Sequence, residues 1–272
     1  MTTALIITTY NAPRDLRCTL HSVLAQTVMP DEVIIADDGS RDETRELIES
    51  FRPLFGGRLK HVWQPDEGFQ LSRIRNKAIA ACTSDYIIIA DGDVVLHPRF
   101  VQDHIEFARR GAFVAGMRSM LAPGPSERLR EGTYHGHLAW WSTRMEELRI
   151  YSLRAPWLSP LLRNHHQGSV RQLIGCNMAF WRNDALAVNG FDEDFTSWGE
   201  EDREFAVRLY NIGLKRRNMI FSGIQFHLYH PTRRNDDTLA GNGDLLRAAR
   251  STGRTRCERG LNLHLADGAS DE

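Results

Sequence analysis

Cysteine is scarce and scattered: Cys18, Cys82, Cys176 and Cys257 are the only four in 272 residues, and none is paired at a metal-ligand spacing. A dense disulfide framework is excluded, and reduced thiols are expected. Long apolar runs are missing too. No stretch approaches the roughly 20 residues a membrane-spanning helix needs, and MTTALIITTYN has no basic leader, so a cytoplasmic protein is expected. Charge of one sign is also lacking, since 34 Lys and Arg stand against 35 Asp and Glu. That balance carries no polyanion-binding signature and removes nucleic acid as the default partner. TTYNAPRD, after the first apolar run, is not a glycine-rich basic phosphate loop, which argues against a nucleotidyltransferase.

What is present is alternation. ALIITTY reads as a buried strand, RDLRCTLHSVLAQ as a helix with Leu16, Leu20, Val23 and Leu24 at helical spacing, and EVIIADDGS as a strand ending in acids. RDETRELIESF follows as a helix, with Ser40 and Glu43 spaced like a capping box; RLKHVWQ, LSRIRNKAIAAC and YIIIADGD then read as strand, helix and strand. Successive βα units predict an α/β fold with a doubly wound, mostly parallel sheet, whose ligands gather at the carboxyl ends of the strands. Tyr10, Asp37, Asp38, Asp91 and Asp93 all fall at such ends.

Residues 118 to 171 differ, with eight arginines against four glutamates, the pair Trp140 and Trp141, and the proline-punctuated APWLSPLLRNHH. They read as an inserted helical and loop segment lying on the scaffold. LIGCNMAFWR, NDALAVNGF, EEDREFAVRLYNIG and GIQFHLYHP then give strand, short helix and turn, helix and closing strand. The expected organisation is one domain over 1–231, with a nucleotide-binding half at 1–98, the insertion at 118–171 and an acceptor half at 172–231. A polar tail over 232–272 is expected to hold a short helix near Asp244 to Ser251 and a loose terminus.

In YIIIADGDVVLHP, Asp91 and Asp93 lie at i and i+2, with Gly92 allowing a tight turn so that both can face one ligand. Such a pair repels itself unless a cation is near, and a hard divalent ion such as Mn²⁺ or Mg²⁺ would bridge it to nucleotide phosphates. A solvated turn is the alternative on spacing alone. The neighbours decide. ITTYN, ADDGSRDET, GFQLSRIRNKAI, DYIIIADGD, GCNMAFWR and FTSWGEEDREFAVRLYNIG together resemble the family 2 glycosyltransferases, inverting enzymes of GT-A fold, and cover nearly all of residues 4 to 231 in the family's order. The later blocks look most like the bacterial chondroitin polymerase and β-1,4-galactosyltransferase branch, whose WGGED appears here as WGEED with Glu200 replacing the second glycine.

The resemblance implies a UDP-sugar donor and a carbohydrate or lipid-linked acceptor. Tyr10 offers an aromatic face to the nucleobase, Thr8 and Asp38 polar atoms to its edge, and Asp37 is expected to satisfy a backbone turn. Arg75 matches a family arginine near the nucleotide, with Arg73 a second candidate or a surface charge. Asp91 is implied on the ribose side and beside the metal, Asp93 as the direct metal ligand, and His227 as a further ligand preferred to His230. Asp202 is the implied base that takes the acceptor proton, with Glu201 binding acceptor hydroxyls, although the two roles can be exchanged. Trp198 offers a face to a sugar ring, Asn177 an amide to the donor sugar, and Gly175 close backbone approach, while Cys176 reads as packing. The insertion suits an anionic glycan or a lipid-linked acceptor at the inner face of an anionic membrane, against a solvated cover with no ligand. A non-catalytic binding module is the competing class; its mark would be a damaged DxD or ED motif, and neither is damaged.

Overall fold

The computed structural model describes residues 1–133, 138, 144–164, 167–231 and 236–265; Trp140, Trp141, His165 and His166 lie outside them. The strands are β1 (Thr3–Thr9), β2 (Glu32–Asp37), β3 (Leu59–Trp63), β4 (Tyr86–Asp91), β5 (Val94–Leu96), β6 (Ala112–Gly116), β7 (Ser119–Leu121), β8 (Met145–Glu147), β9 (Asn177–Trp181), β10 (Lys215–Met219) and β11 (Gln225–His227). The helices are α1 (Pro13–Leu24), α2 (Asp42–Phe51), α3 (Leu71–Ala81), α4 (Phe100–Phe107), α5 (Pro123–Arg130), α6 (Ser159–Leu162), α7 (Arg182–Ala187), α8 (Glu201–Asn211) and α9 (Asp236–Thr252). Seven strands form the main sheet in the order β10-β6-β9-β4-β1-β2-β3, and β9 runs antiparallel between β4 and β6. The expected mostly parallel, doubly wound sheet is therefore present.

Helices cover both faces, so neither side of a central strand meets water and the strands read as continuous apolar runs. Along β1, Ala4 and Ile6 pack toward α3, α7 and α8, while Leu5 and Ile7 pack toward α1, α2 and α4. Ile34 and Ile35 divide the same way on β2, as the two-residue period of a strand requires.

At the opposite end of the sheet from the site, buried Glu32 accepts hydrogen bonds from Lys60 Nζ (2.5 Å), Ser84 Oγ (2.6 Å), Thr83 Oγ1 (2.9 Å) and Thr83 N (3.0 Å). Burial alone would raise this carboxyl, but those bonds outweigh it and hold it at about 2. A depressed carboxylate pKa stabilises the fold above its unfolded value and loses that contribution as pH falls through the folded one. Glu32→Gln is expected to cost about 2–3 kcal/mol at pH 7, with the difference vanishing between about pH 4.3 and pH 2. Urea melts of both proteins across that range are the check.

Several expectations need correction. Ser40 does not cap α2: its hydroxyl accepts the Asn11 amide (2.8 Å), and Asn11 Oδ1 in turn accepts Arg41 N (3.0 Å). The chain leaving β1 thus satisfies the helix start that a capping box would have served. The segment after residue 117 does not merely lie on the scaffold, because β7 pairs with β11 and β8 in a second sheet of order β5-β11-β7-β8. The closing strand β11 belongs to that sheet and not to the main one. The helix expected at Asp244 to Ser251 begins at Asp236, and the segment after it is anchored as far as His264, while residues 266–272, the end of the expected loose terminus, lie outside the described residues. Arg254 bridges Asp192 (2.6 Å) and Glu204 (2.8 Å), and His264 bonds Glu193 (2.6 Å).

Candidate active site

The register of the parallel strands sets the site. Thr8 stands beside Asp91, Thr9 beside Asp37, and Asp37 beside Trp63, so the ends of β1, β2, β3 and β4 open on one edge. Tyr10 leaves β1 there, 43% exposed, and donates its hydroxyl to Asp66 at 2.9 Å. Asp66 closes against Gly39, whose φ of 92° and bare Cα admit it: a Cβ would fall 2.6 Å from Asp66 Cα. Asp38 is buried with its oxygens on Gln64 Nε2 (2.6 Å) and Gln70 N (3.0 Å), and burial raises its carboxyl. Asp37 accepts Ser40 N (2.9 Å) and meets His61 Nε2 (3.0 Å), the backbone-turn role expected of it.

The two acids of the DGD turn diverge. Asp91 accepts the Thr8 hydroxyl at 2.9 Å and stands 3.8 Å from Arg75 Nη2. The Thr8 hydroxyl thus orients Asp91 and keeps its acceptor lone pairs. Asp93 instead faces two imidazoles, His227 Nε2 at 3.3 Å and His230 Nε2 at 3.2 Å. Antiparallel pairing of β5 with β11 brings this about, since His227 sits opposite Val94 and Leu228 N donates to Asp93 O (2.9 Å). Gly92 is not in the left-handed region. Its need is steric, because a Cβ would lie 2.8 Å from Thr8 O.

Asp93, His227 and His230 present ligand atoms all within 4.8 Å of one another, and they are the group of this kind found among the described residues. Asp91, expected beside the metal, is outside the group, and His230, expected second to His227, is inside it. The donor set suits a divalent cation. Both imidazoles turn Nδ1 to a backbone carbonyl, Leu228 O at 2.8 Å and Pro231 O at 3.1 Å, which aims each Nε2 at the cluster as in a metal-ligating histidine. Asp93 Oδ1 is buried with no hydrogen-bond partner. Burial would raise the Asp93 carboxyl, yet hydrogen bonds from His227 and His230 hold it well below the usual range. The Asp93 bond in turn raises His230.

Arg75 joins the two halves of the site. Only 2% exposed, it reaches Glu201 Oε1 (3.3 Å) with Nη1 and Asp91 with Nη2, and lies over the Phe191 ring. Arg75 Nε and Glu201 Oε2 are both buried without partners, which leaves polar capacity the fold does not use. Arg73 pairs with exposed Glu67 at 2.6 Å and is a surface charge. Beside Glu201, in the first turn of α8, half-buried Asp202 bonds Arg203 N at 2.7 Å. Its carboxyl is pushed up to about 7 by burial first and by the Glu201 charge second, with Arg75 and Arg203 opposing. Gly175 makes the approach possible: a Cβ there would lie 3.0 Å from Arg75 Nη2 and 3.2 Å from Asp202 Oδ2.

Trp198 is 47% exposed just before this turn. Glu200 takes the left-handed conformation (φ 73°) that the second glycine of WGGED would adopt freely, and it pairs with Arg203 at 2.7 Å. Asn177 is not available to a donor sugar. It is fully buried, with Oδ1 on His104 Nε2 (3.0 Å) and Nδ2 on Met117 O (2.7 Å) and Gly223 O (3.0 Å), so every amide function serves the fold. Cys176 packs as expected, taking a bond from Gln225 Nε2 (3.2 Å), and burial pushes its thiol up to about 12. Arg118 was missed as a site residue. It lies beside Cys176 and within the field of Asp91 and Asp93, which together hold its proton more firmly.

A doubly wound sheet with Asp93, His227 and His230 clustered just past the end of β4, and with Glu201 and Asp202 opening a later helix, has the architecture of the GT-A fold. Solved structures agree on the fold: GalNAc-T7 with UDP, GalNAc and Mn²⁺ matches 91% of this chain and 48% of its own (TM-score 0.64, 17% identity). TarS of S. aureus with UDP-GlcNAc matches 97% and 69% (TM-score 0.61, 14% identity). The sequence carries the assignment further, because residues 4–171 match the glycosyl transferase family 2 and residues 161–231 the N-terminal domain of galactosyltransferase. The chain belongs to glycosyltransferase family 2. It is 30% identical to the chondroitin synthase of Escherichia coli over 88% of its length, and 29% identical to a validoxylamine A glucosyltransferase of Streptomyces hygroscopicus over 78%. It spans 36% and 48% of those two relatives.

Proposed function

We propose that the chain is an inverting, metal-dependent glycosyltransferase that moves a sugar from a UDP-sugar to a carbohydrate or lipid-linked glycan in polysaccharide or glycoconjugate biosynthesis. The observation that carries the reading is that Arg75 links Glu201, beside Asp202, to Asp91, and that the Asp93–His227–His230 cluster begins two residues past Asp91. The exposed Tyr10 ring suits the base, and Asp91 the ribose. Asp93, His227 and His230 would hold Mn²⁺ or Mg²⁺, which supplies charge to stabilise a departing diphosphate. Asp202 takes the proton from the acceptor hydroxyl as its oxygen attacks the anomeric carbon from the face opposite the diphosphate, so the configuration inverts. Glu201 and the Trp198 face hold the acceptor ring. UDP-GlcNAc in the TarS complex, and UDP with Mn²⁺ in GalNAc-T7, support the donor and metal assignments. A panel of UDP-sugars with Mn²⁺, scored for donor hydrolysis and for transfer, tests the reading. Failure to turn over any of them would sink it.

A lipid-linked acceptor and a peripheral membrane contact rest on the insertion. Arg130 is spent on Asp15 (2.5 Å) and Arg154 on Asp103 (2.8 Å), so the arginine count overstates the available charge. Trp157 and Leu161, 74% and 78% exposed and four residues apart through consecutive turns, are the apolar feature that supports the contact. Among the described residues no helix is long and apolar enough to cross a membrane. Vesicles containing anionic phospholipid are expected to co-float with the protein, and the double substitution Trp157→Ser, Leu161→Ser to reduce the bound fraction roughly ten-fold or more. No flotation leaves a water-soluble glycan as the acceptor, whereas flotation unchanged in the variant places the membrane contact away from Trp157 and Leu161.

A further inference from the structure

We infer that Asn242, on α9 and outside both family-matched stretches, is a positioning residue for the acceptor side of the site, an inference that rests on the roles just given to Trp198, Glu201 and Asp202. Its Nδ2 stands 3.0, 3.3 and 2.7 Å from the carbonyl oxygens of Ser197, Trp198 and Gly199, while its Oδ1 accepts the Ser197 hydroxyl at 3.2 Å. Three converging carbonyls can be met only by a donor, so the orientation of the amide is fixed. The side chain is buried, and no other residue type offers both the two hydrogens and the acceptor at this length.

What Asn242 clasps is a turn that needs holding. Gly199 (φ 101°) and Glu200 (φ 73°) are consecutive left-handed residues, and a non-glycine there costs about 1–3 kcal/mol unless its surroundings fix it. The same turn sets where the Trp198 ring stands and where α8 begins, and hence where Glu201 and Asp202 point. Behind it the C-terminal segment is locked down independently. Arg254 bridges Asp192 and Glu204, Asn189 Nδ2 donates to Cys257 O (2.9 Å), and a Cβ at Gly260 would fall 2.1 Å from Asn189 O. The acceptor loop of the family is thus held by a part of this chain that lies beyond residue 231, where the family match ends.

Asn242→Asp keeps shape and the Ser197 bond but sets a carboxylate against three carbonyls. Amide exchange at Trp198–Asp202 is expected to accelerate roughly ten-fold or more, with the amides of β1, β2 and β4 unchanged. With the UDP-sugar that the wild type hydrolyses fastest, kcat is expected to fall roughly 10- to 100-fold at unchanged donor KM, because the base is displaced and the donor side is not. Ser197→Ala, which removes one leg of the clasp, is expected to give the same pattern at roughly three-fold. Unchanged exchange at 198–202 in both variants would overturn the inference whatever the activity. So would a uniform rise in exchange across the β-sheet, or parallel losses in kcat and donor affinity, which mark a residue that merely supports folding. Absence of turnover in the wild type would count against the proposed function alone, since the exchange measurement needs no substrate.

Discussion

Asp202→Asn is expected to lower kcat roughly 10²- to 10⁴-fold while UDP affinity stays within about two-fold, because in the proposed mechanism the loss is confined to taking a proton from the acceptor hydroxyl. The amide keeps the shape and the bond to Arg203 N, so the donor side has no reason to change. The pH profile makes the assignment sharper. A base must be ionised, so with the Asp202 carboxyl raised to about 7, wild-type kcat should climb as pH rises through about 7. Glu201 is the second cause of that rise after burial, and Glu201→Gln should move the acid limb to lower pH even as acceptor binding weakens. If the roles are exchanged, the limb survives in Asp202→Asn and disappears in Glu201→Gln. Because the two carboxyls interact, the limb reports the pair and the substitutions apportion it.

Stability gives an independent reading of the same group. A carboxyl raised in the folded state favours the fold while protonated, and that contribution is lost as pH rises from its ordinary value near about 3.9 through about 7. At pH 8 the wild type carries the full cost of the ionised, partly buried carboxylate beside Glu201. Asp202→Asn should therefore melt at a higher temperature than the wild type at pH 8, and the gap should close toward pH 5. A variant that is inactive and also less stable at pH 8 would point to lost structure in place of a lost base.

The central strands were legible because burial on both faces leaves unbroken runs such as LII and YIIIA, and the acids at their ends stand out against them. The same logic hid β10. KRRNM buries Arg216, Asn218 and Met219: Arg216 sets Nη1 on Ser169 O (3.0 Å) and Arg171 O (2.9 Å), and half-buried Arg217 lies over the Phe107 ring. No apolar period announces a strand built that way. Asn177 misled for a related reason, since an amide that fills a buried nest of carbonyls reads in sequence like one that faces a ligand. The equal standing of His230 with His227 follows from the β5–β11 pairing, a long-range contact that local pattern does not contain. Asn242 sits in AGNGDLL, a polar stretch with nothing to mark it, and its meaning arises only from the three carbonyls it meets.

Removal of Asp93 should have the other large effect. In Asp93→Ala the two Nε2 atoms of His227 and His230 lose the carboxylate between them, and the cluster loses its only negative charge and one of its three ligand atoms. A hard divalent ion held by two neutral imidazoles alone should bind far more weakly, since oxygen ligands supply most of the affinity for such ions. Calorimetry with UDP should show Mn²⁺-dependent binding in the wild type that EDTA abolishes, and no Mn²⁺-dependent component in the variant. Turnover should fall roughly 10²- to 10⁴-fold, the scale expected when charge stabilisation of the leaving diphosphate is withdrawn. His230→Ala should share the defect in direction, because the structure gives it the same Nε2 approach and the same carbonyl brace as His227. Asp91→Asn tests the division of labour between the acids. Asp91 lies outside the cluster and bonds Thr8 and Arg75, so its loss should weaken UDP binding while Mn²⁺ binding measured without nucleotide stays as in the wild type. If Asp91→Asn abolishes that metal binding and Asp93→Ala does not, the cation is held on the other side of Gly92 and the three-residue cluster is a structural ion pair.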